Sequence, residues 1–437
     1  MNSTDTAIRH ALPAPLEHLL EPQIERAVFA YRKRGRSLDR GWQSLRALKV
    51  LEQPIETLLE SARYYGAQAL EKAAAARAGA SVDDADAAAF VLTAMAQALD
   101  SLVHSSDNIS MKCYAAHPRA VRDALWFYGQ APVCETLLAQ PDAALQLLGI
   151  ELTGRMTQQH LIPRIAIAEA PQTVRLQTLG LLDALGRSAP KEITAWLTSS
   201  DAKLLRIALD FLLTTGIAVP ESALTAALQA GLKQELEDEV DAACALVCIH
   251  RPPSEASQAL AAVPLPADLR LRCTAFLGSP GLLLDALAQI DQQEVSLSHE
   301  QKNFLRMTLG EIPADLADTH GTQAARGNAL RKLAASVFER NGCANIAPVQ
   351  LAGWSRELLA GPLWPLEQIR LRGGRPWRKA LDCDLMLEAS HRMRRWLYAE
   401  YAVVTGRAFP LAADDRASRQ IEVLETLKSL HELLDLQ

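Results

Sequence analysis

Apolar positions in this chain recur at the spacing of helix faces, and between Pro141 and Gly216 the pattern itself recurs. The stretch reads PDAALQLLGIELTG, then PQTVRLQTLGLLDALG, then SDAKLLRIALDFLLTTG. Each run opens on a turn pair (Pro141-Asp142, Pro171-Gln172, Ser200-Asp201) and closes on a glycine (Gly154, Gly186, Gly216), where a helix C-cap accepts a left-handed residue. The openings lie 30 and 29 residues apart. Within the runs, Val174, Leu176, Leu179, Leu182 and Leu185 share one helical face. Leu204, Leu205, Ala208, Leu209, Leu212 and Leu213 share another. A shorter apolar run follows each glycine, at Ile162–Ala168, Glu192–Leu197 and Ala223–Leu232.

Two helices per unit, repeated at about 30 residues, predict an all-α fold built as a HEAT-like helical-repeat solenoid, an α-α superhelix. A single hairpin of this kind leaves its apolar faces open, and stacked neighbours close them.

The flanks read as helices too. Residues 1–15 form a polar, proline-bearing lead-in. Leu16–Gly35 carries Leu19, Leu20, Ile24, Ala27, Val28 and Tyr31 on one face, with Gly35 as its end. A second element runs through Trp42, Leu45, Leu48, Val50 and Leu51. Pro54 then suits the first turn of a third, with Ile55, Leu58, Leu59, Ala62, Tyr65, Ala69 and Leu70. Ser81-Val82-Asp83-Asp84 signals the cap of a helix from Ala85 to about Leu102. Residues 16–110 are thus an N-terminal helical domain or cap, and 115–290 the repeats. In the latter, HPRAVRDALWFYG ends at Gly129, Gln234–Ile249 and Pro266–Leu277 are further long helices, and Gly281–Ile290 is a last short one. Residues 301–437 form a mostly helical C-terminal region that closes with an amphipathic helix from Ser418 to Leu436.

Composition narrows the class. Ala and Leu outweigh the β-branched residues, which favours helix. A net charge of −6 argues against a general nucleic-acid coat. No apolar run reaches the roughly 18 residues of a membrane span. The N-terminus lacks a signal-peptide layout, and the 7 scattered cysteines contain no CxxC pair. Reduced thiols in a cytoplasmic protein are the expectation.

Charge is unevenly placed. Between Arg326 and Arg407 there are 14 Lys/Arg against 7 Asp/Glu, leaving about −13 for the rest. Four of the 7 tryptophans fall there as well. Within it Trp364, Arg370, Arg372, Arg375, Trp377 and Arg378 combine the residue types that carry binding energy at protein interfaces. They form the candidate partner-binding site. Tryptophans anchoring a subdomain core, with the arginines paired to Asp382, Asp384 and Glu388, are the plainer alternative. His391, Arg392, Arg394 and Arg395 read as the polar side of a helix that buries Leu387, Trp396 and Leu397.

Catalytic signatures are absent: no phosphate loop, dinucleotide fingerprint or hydrolase elbow occurs. His431-Glu432-Leu433-Leu434-Asp435 lacks the second histidine of a zinc-protease helix. Cys244, Cys248 and His250 lie close in sequence, but AACALVCI reads as a buried run with buried thiols. Asp83, Asp84 and Asp86 suit a helix start. No cofactor and no enzymatic activity are expected.

Two stretches carry a family resemblance. LEPQIERAVFAYRKRG with LRALKVLEQPIETLLESARYYGAQALEKA covers residues 20–73, and GRPWRKALDCDLMLEASHRMRRWLYAEYAVVTGRAFPLAADDRASRQ covers 374–420. With the repeats between them, the chain resembles a proteobacterial family of HEAT-repeat proteins associated with type VI secretion gene clusters. That resemblance implies a non-enzymatic protein-binding scaffold, an adaptor or co-chaperone for effector and spike-tip assembly. Its partner would be a protein client: a secretion effector, its chaperone or a spike-tip protein. The sequence departs from the family at Ala30-Tyr31, where tryptophan is common, and near Pro54 and Thr57, where a basic residue or histidine is usual. A second class stays open: HEAT-like solenoids also occur as alkylpurine DNA glycosylases, with a basic groove for DNA. The acidic balance and the scarcity of Lys/Arg in 141–290 argue against it. A repeat-containing lyase acting on a protein-bound chromophore is a third, recommended by architecture alone.

Overall fold

The computed structural model describes residues 18–39, 44–99, 113–129, 131–155, 191–279, 371–372, 375–376, 383–405 and 411–435, with the single positions 282, 304 and 307. Among them are sixteen helices and one two-residue ladder. No described helix is long and apolar enough to cross a membrane. The chain divides into two units, residues 1–183 with 414–423, and 184–413 with 424–437.

The first unit starts with α1 (Leu20–Asp39) and α2 (Leu45–Tyr65). Helix α1 runs past Gly35 because its buried stripe does: Arg34, Ser37 and Leu38 follow Leu20, Ile24, Ala27, Ala30 and Tyr31 into the core. Leu19 lies outside that stripe, 43% exposed. Helix α2 is a single helix with Pro54 inside it, not two elements, and its cap is Ser44, whose hydroxyl accepts from the Ala47 amide at 3.3 Å. A proline leaves the carbonyl four residues back without its donor. Here that residue is Val50, 68% exposed, so water can serve it. The opposite face buries Leu48, Glu52, Ile55, Leu58 and Leu59 without interruption, holding both halves on one axis. The expected continuation through Ala69 and Leu70 breaks at Gly66, whose φ of 57° ends α2 before α3 (Ala67–Ala78).

Helix α4 (Ala85–Ala98) is the centre of this unit. Every residue from Ala87 to Gln97 is buried, as expected of a helix apolar all round. Its alanines admit close neighbours, and α1, α2, α3 and α5 (Pro118–Tyr128) all pack on it. Phe90 stacks on Tyr31 with ring centroids 3.8 Å apart, and Phe127 and Tyr128 meet it edge-on. Helices α6 (Ala131–Leu138) and α7 (Ala143–Arg155) pair next. Gly154 lies inside α7 rather than ending it. The Pro171–Gly186 unit and the run Ile162–Ala168 lie outside the described residues.

The second unit opens with α8 (Lys191–Trp196) and α9 (Ala202–Thr215). Here the sequence reading holds closely. Asp201 caps α9 by accepting from the Lys203 amide at 2.9 Å, Gly216 ends it at φ 67°, and Leu205, Ala208, Leu209, Leu212 and Leu213 are buried. Helices α10 (Glu221–Lys233), α11 (Glu237–His250), α12 (Pro253–Ala261) and α13 (Ala267–Leu277) follow. Helix α12 lies between two helices that the spacing predicts and is not itself among them, yet Pro253 at its first turn and Ala256 with Leu260 on its buried side are ordinary helix signals. Helix α11 is the counterpart of α4, buried from Glu239 to Ile249. It touches α9, α10, α12, α13 and α15 (His391–Thr405). Helix α14 (Cys383–Glu388) precedes α15, and α16 (Ala417–Asp435), whose residues up to Val423 belong to the first unit, lies much where its leucine spacing predicts.

Gly216 is fixed by two constraints. Beyond its left-handed backbone, a Cβ there would lie 2.4 Å from the Ala402 carbonyl carbon and 2.5 Å from the Val403 nitrogen. Gly216→Ala is therefore expected to destabilise the second unit by on the order of 3 kcal/mol, read as a melting temperature several degrees lower. An unchanged melting temperature would mean that α15 does not pack this closely on α9.

Candidate functional site

Two buried ionic nodes look at first like chemistry. In the first unit, Arg34 Nε donates to Glu52 Oε1 at 2.6 Å, with both side chains 2% exposed. Arg34 Nη2 donates to the carbonyls of Asp414 and Asp415 at 2.7 and 3.1 Å. Glu52 Oε2 accepts from the Ala417 amide at 2.8 Å, so a carboxylate of α2 caps the start of α16. The Arg34 guanidinium also lies 4.6 Å from the Phe127 ring centroid. Tyr31 donates to Asp123 at 2.9 Å, and burial together with that carboxylate pushes its phenol above the ordinary range. These contacts face inward onto backbone and rings. They hold the unit together.

The second unit repeats the device. Asp241 accepts from Arg272 Nη1 at 2.6 Å and from Trp396 Nε1 at 2.9 Å. Phe276 and Phe304 meet the Trp396 ring edge-on at 5.0 and 5.4 Å. Cys244 and Cys248 on α11 and Cys273 on α13 are buried thiols, and Cys273, Cys248 and Asp241 all act on Cys244. The contact with Cys273, with burial second, raises the Cys244 thiol well above its ordinary pKa. His250 Nε2 is buried without a hydrogen-bond partner among the described residues, and burial lowers its pKa to about 4. Among the described residues no group of three or more His, Cys, Asp or Glu is arranged to hold a metal.

The other sequence candidates separate. Ala85 starts α4 as predicted, but Asp84 makes no side-chain cap; it accepts from Arg32 at 2.6 Å and from Ser81 at 2.8 Å. Asp86 pairs with His117 at 2.7 Å. Trp396 and Leu397 on α15 are buried as expected, and Leu387 is buried too but on the separate helix α14. Arg394 is not on a polar side: it is fully buried and donates to the Ala389 carbonyl at 2.6 Å. Arg395 pairs with Asp210 at 2.8 Å, and Asp384 accepts from Lys428 at 2.8 Å. The backbone of Leu371–Arg372 and Arg375–Pro376 forms the antiparallel ladder β1–β2, pairing Leu371 with Pro376 and Arg372 with Arg375. Trp364, Arg370, Trp377 and Arg378, and the side chains of Arg372 and Arg375, lie outside the described residues.

A surface feature went unnoticed in the sequence. Along the outer side of the α1–α2 hairpin runs an open groove of about 330 Å3, lined by Phe29, Ala30, Val50, Leu51 and Pro54 with Glu25, Arg26 and Lys33 at its borders. Phe29 is 55% exposed and Val50 68%. Both lie off the buried stripes of their helices. That was the legible signal: Phe29 is out of phase with Ile24, Ala27 and Tyr31, and Val50 follows Leu48 by two residues, which a helix turns to another face. Counting Val50 among the apolar face concealed it.

No protein-family model, curated protein or solved structure matches the chain.

Removing one partner of a buried ion pair strands the other. Arg34→Ala is expected to destabilise the first unit by about 3–5 kcal/mol, measured by urea unfolding; a loss below about 1 kcal/mol would show that Glu52 is solvated. For His250 the folded pKa of about 4 lies below the unfolded value of 6.5. The unfolded chain therefore takes up a proton first, and stability is full above pH 6.5, falls as pH drops toward 4, and is lost by at most about 3 kcal/mol. His250→Gln is expected to flatten the urea midpoint across that window, and an unaltered pH profile would assign the acid sensitivity elsewhere.

Proposed function

We propose that the chain is a HEAT-like helical scaffold that binds a protein client without catalysing a reaction, as an adaptor or co-chaperone in type VI secretion effector and spike-tip assembly. The observation that carries the scaffold reading is the way alternate helices meet. Helix α9 packs on α11 and α11 on α13, while α10 and α12 each pack on α11 from their own side. Contact between every second helix is what stacked hairpins produce, and it supports this reading. Such a stack works by shape: it presents an extended surface on which a client is held. The secretion setting rests on the resemblance of residues 20–73 and 374–420. The basic segment with Trp364, Arg370, Arg372, Arg375, Trp377 and Arg378 is the client contact in this reading, opposite in charge to the rest of the chain.

Affinity capture from the native bacterium tests it. Stoichiometric recovery of a secretion effector, its chaperone or a spike-tip protein is expected. Substituting Arg375, Trp377 and Arg378 together by alanine is expected to lower that recovery about tenfold or more while leaving the melting temperature unchanged. Nucleic acid as the captured species, released as salt rises, would instead favour DNA binding.

A further inference from the structure

Phe29 and Val50 are large apolar side chains left 55% and 68% exposed on one hairpin, and they flank the same groove. Leu51 and Pro54 are half-buried between them and form its floor. Glu25, Arg26 and Lys33 border these apolar side chains. A row of side chains projecting from one helix would reach the floor, which is the helix-in-groove mode of recognition.

Charge decides which helix. Arg26 and Lys33 border the groove, Arg36 continues the same stripe of α1, and Lys49 stands next to Val50 on α2. Other cations of the first unit find carboxylates: Arg32 holds Asp84 at 2.6 Å and Arg119 holds Asp39 at 3.3 Å. Arg26, Lys33, Arg36 and Lys49 have no such partner among the described residues, and Glu25 is the sole acid in the lining. Among the described residues the rim thus carries more positive than negative charge around an apolar floor.

We infer that the α1–α2 groove docks an acidic amphipathic helix of a protein partner. Its apolar residues, spaced i, i+3 or i+4 and i+7, seat against Phe29, Val50, Leu51 and Pro54, and its carboxylates face Arg26, Lys33 and Lys49. The inference rests on the protein-binding reading and names the chemistry of the partner's contacting segment.

The test uses the full chain and two fluorescein-labelled synthetic peptides with leucines at the same heptad positions, one filled with glutamate and the other with lysine. Fluorescence anisotropy is expected to show saturable binding of the glutamate peptide, at least about tenfold tighter than the lysine peptide. Raising salt from about 0.05 to about 0.5 M should weaken it. Phe29→Asp and Val50→Asp should each weaken it about tenfold or more, and Lys33→Glu should shift preference toward the lysine peptide. Because these side chains are exposed, unchanged circular dichroism and melting temperature are expected for all three variants; if Phe29→Asp does unfold the chain, the other two decide. Equal binding of both peptides, or variants that bind as the parent does, would overturn the inference. So would Phe29-dependent binding of phosphatidylglycerol vesicles without binding of the glutamate peptide. The two readings fail separately. A Phe29→Asp bait that captures the client in full overturns the groove and leaves the scaffold standing. A parent bait that captures no secretion client, while the glutamate peptide binds in the stated pattern, supports the groove and overturns the secretion-adaptor reading.

Discussion

The Arg34–Glu52 pair sets the arrangement of the first unit. An arginine and a glutamate both removed from water carry a large desolvation penalty, which is offset only when every remaining polar atom finds a partner. Here the partners come from far along the chain. Arg34 reaches the carbonyls of Asp414 and Asp415, and Glu52 takes the Ala417 amide. A segment some 380 residues away in sequence therefore completes a charge pair made between α1 and α2. Ser418 adds a bond to Glu56 at 3.0 Å, and Arg416 lies 5.3 Å from the Tyr128 ring centroid. The consequence is that residues 414–423 belong to the first unit although the chain has passed through the second.

The second unit solves the same problem at Asp241. One carboxylate takes an arginine from α13 and a tryptophan from α15, and two phenylalanines enclose the indole. In each unit an alanine-rich helix, α4 or α11, is buried on all sides, and one acidic residue near it selects which distant helix completes the core. Apolar packing alone is tolerant of which leucine meets which. A buried carboxylate is not, because a wrong partner leaves it unpaired. These nodes thus serve the fold, while Phe29 and Val50 remain exposed at the α1–α2 groove.

Helices were readable from local spacing because burial of one stripe, capping residues and turn prolines are all local signals. The stretch from Ser200 to Gly216 shows this best: cap, buried face and left-handed terminus were all visible in seventeen letters. The readings that failed were those where packing overrode a local breaker. Gly35 and Gly154 continue inside helices, and Pro54 is carried within α2 because its outer face leaves the unpaired carbonyl to water. Arg394 defeated the reading in another way. Charge pattern placed it outside, while the carbonyl of Ala389 accepts it inside.

The sequence by itself determined that this chain is helical and where most of the described helices lie, since both follow from the few residues on either side. Tertiary structure alone decided that α1–α2 and residues 414–417 share one ionic node, that Trp396 belongs to Asp241, and that Phe29 and Val50 flank a groove rather than fill a core. Those facts depend on which surfaces meet after the chain has turned back on itself, and buried charge and burial phase are properties of that meeting, not of any window of sequence.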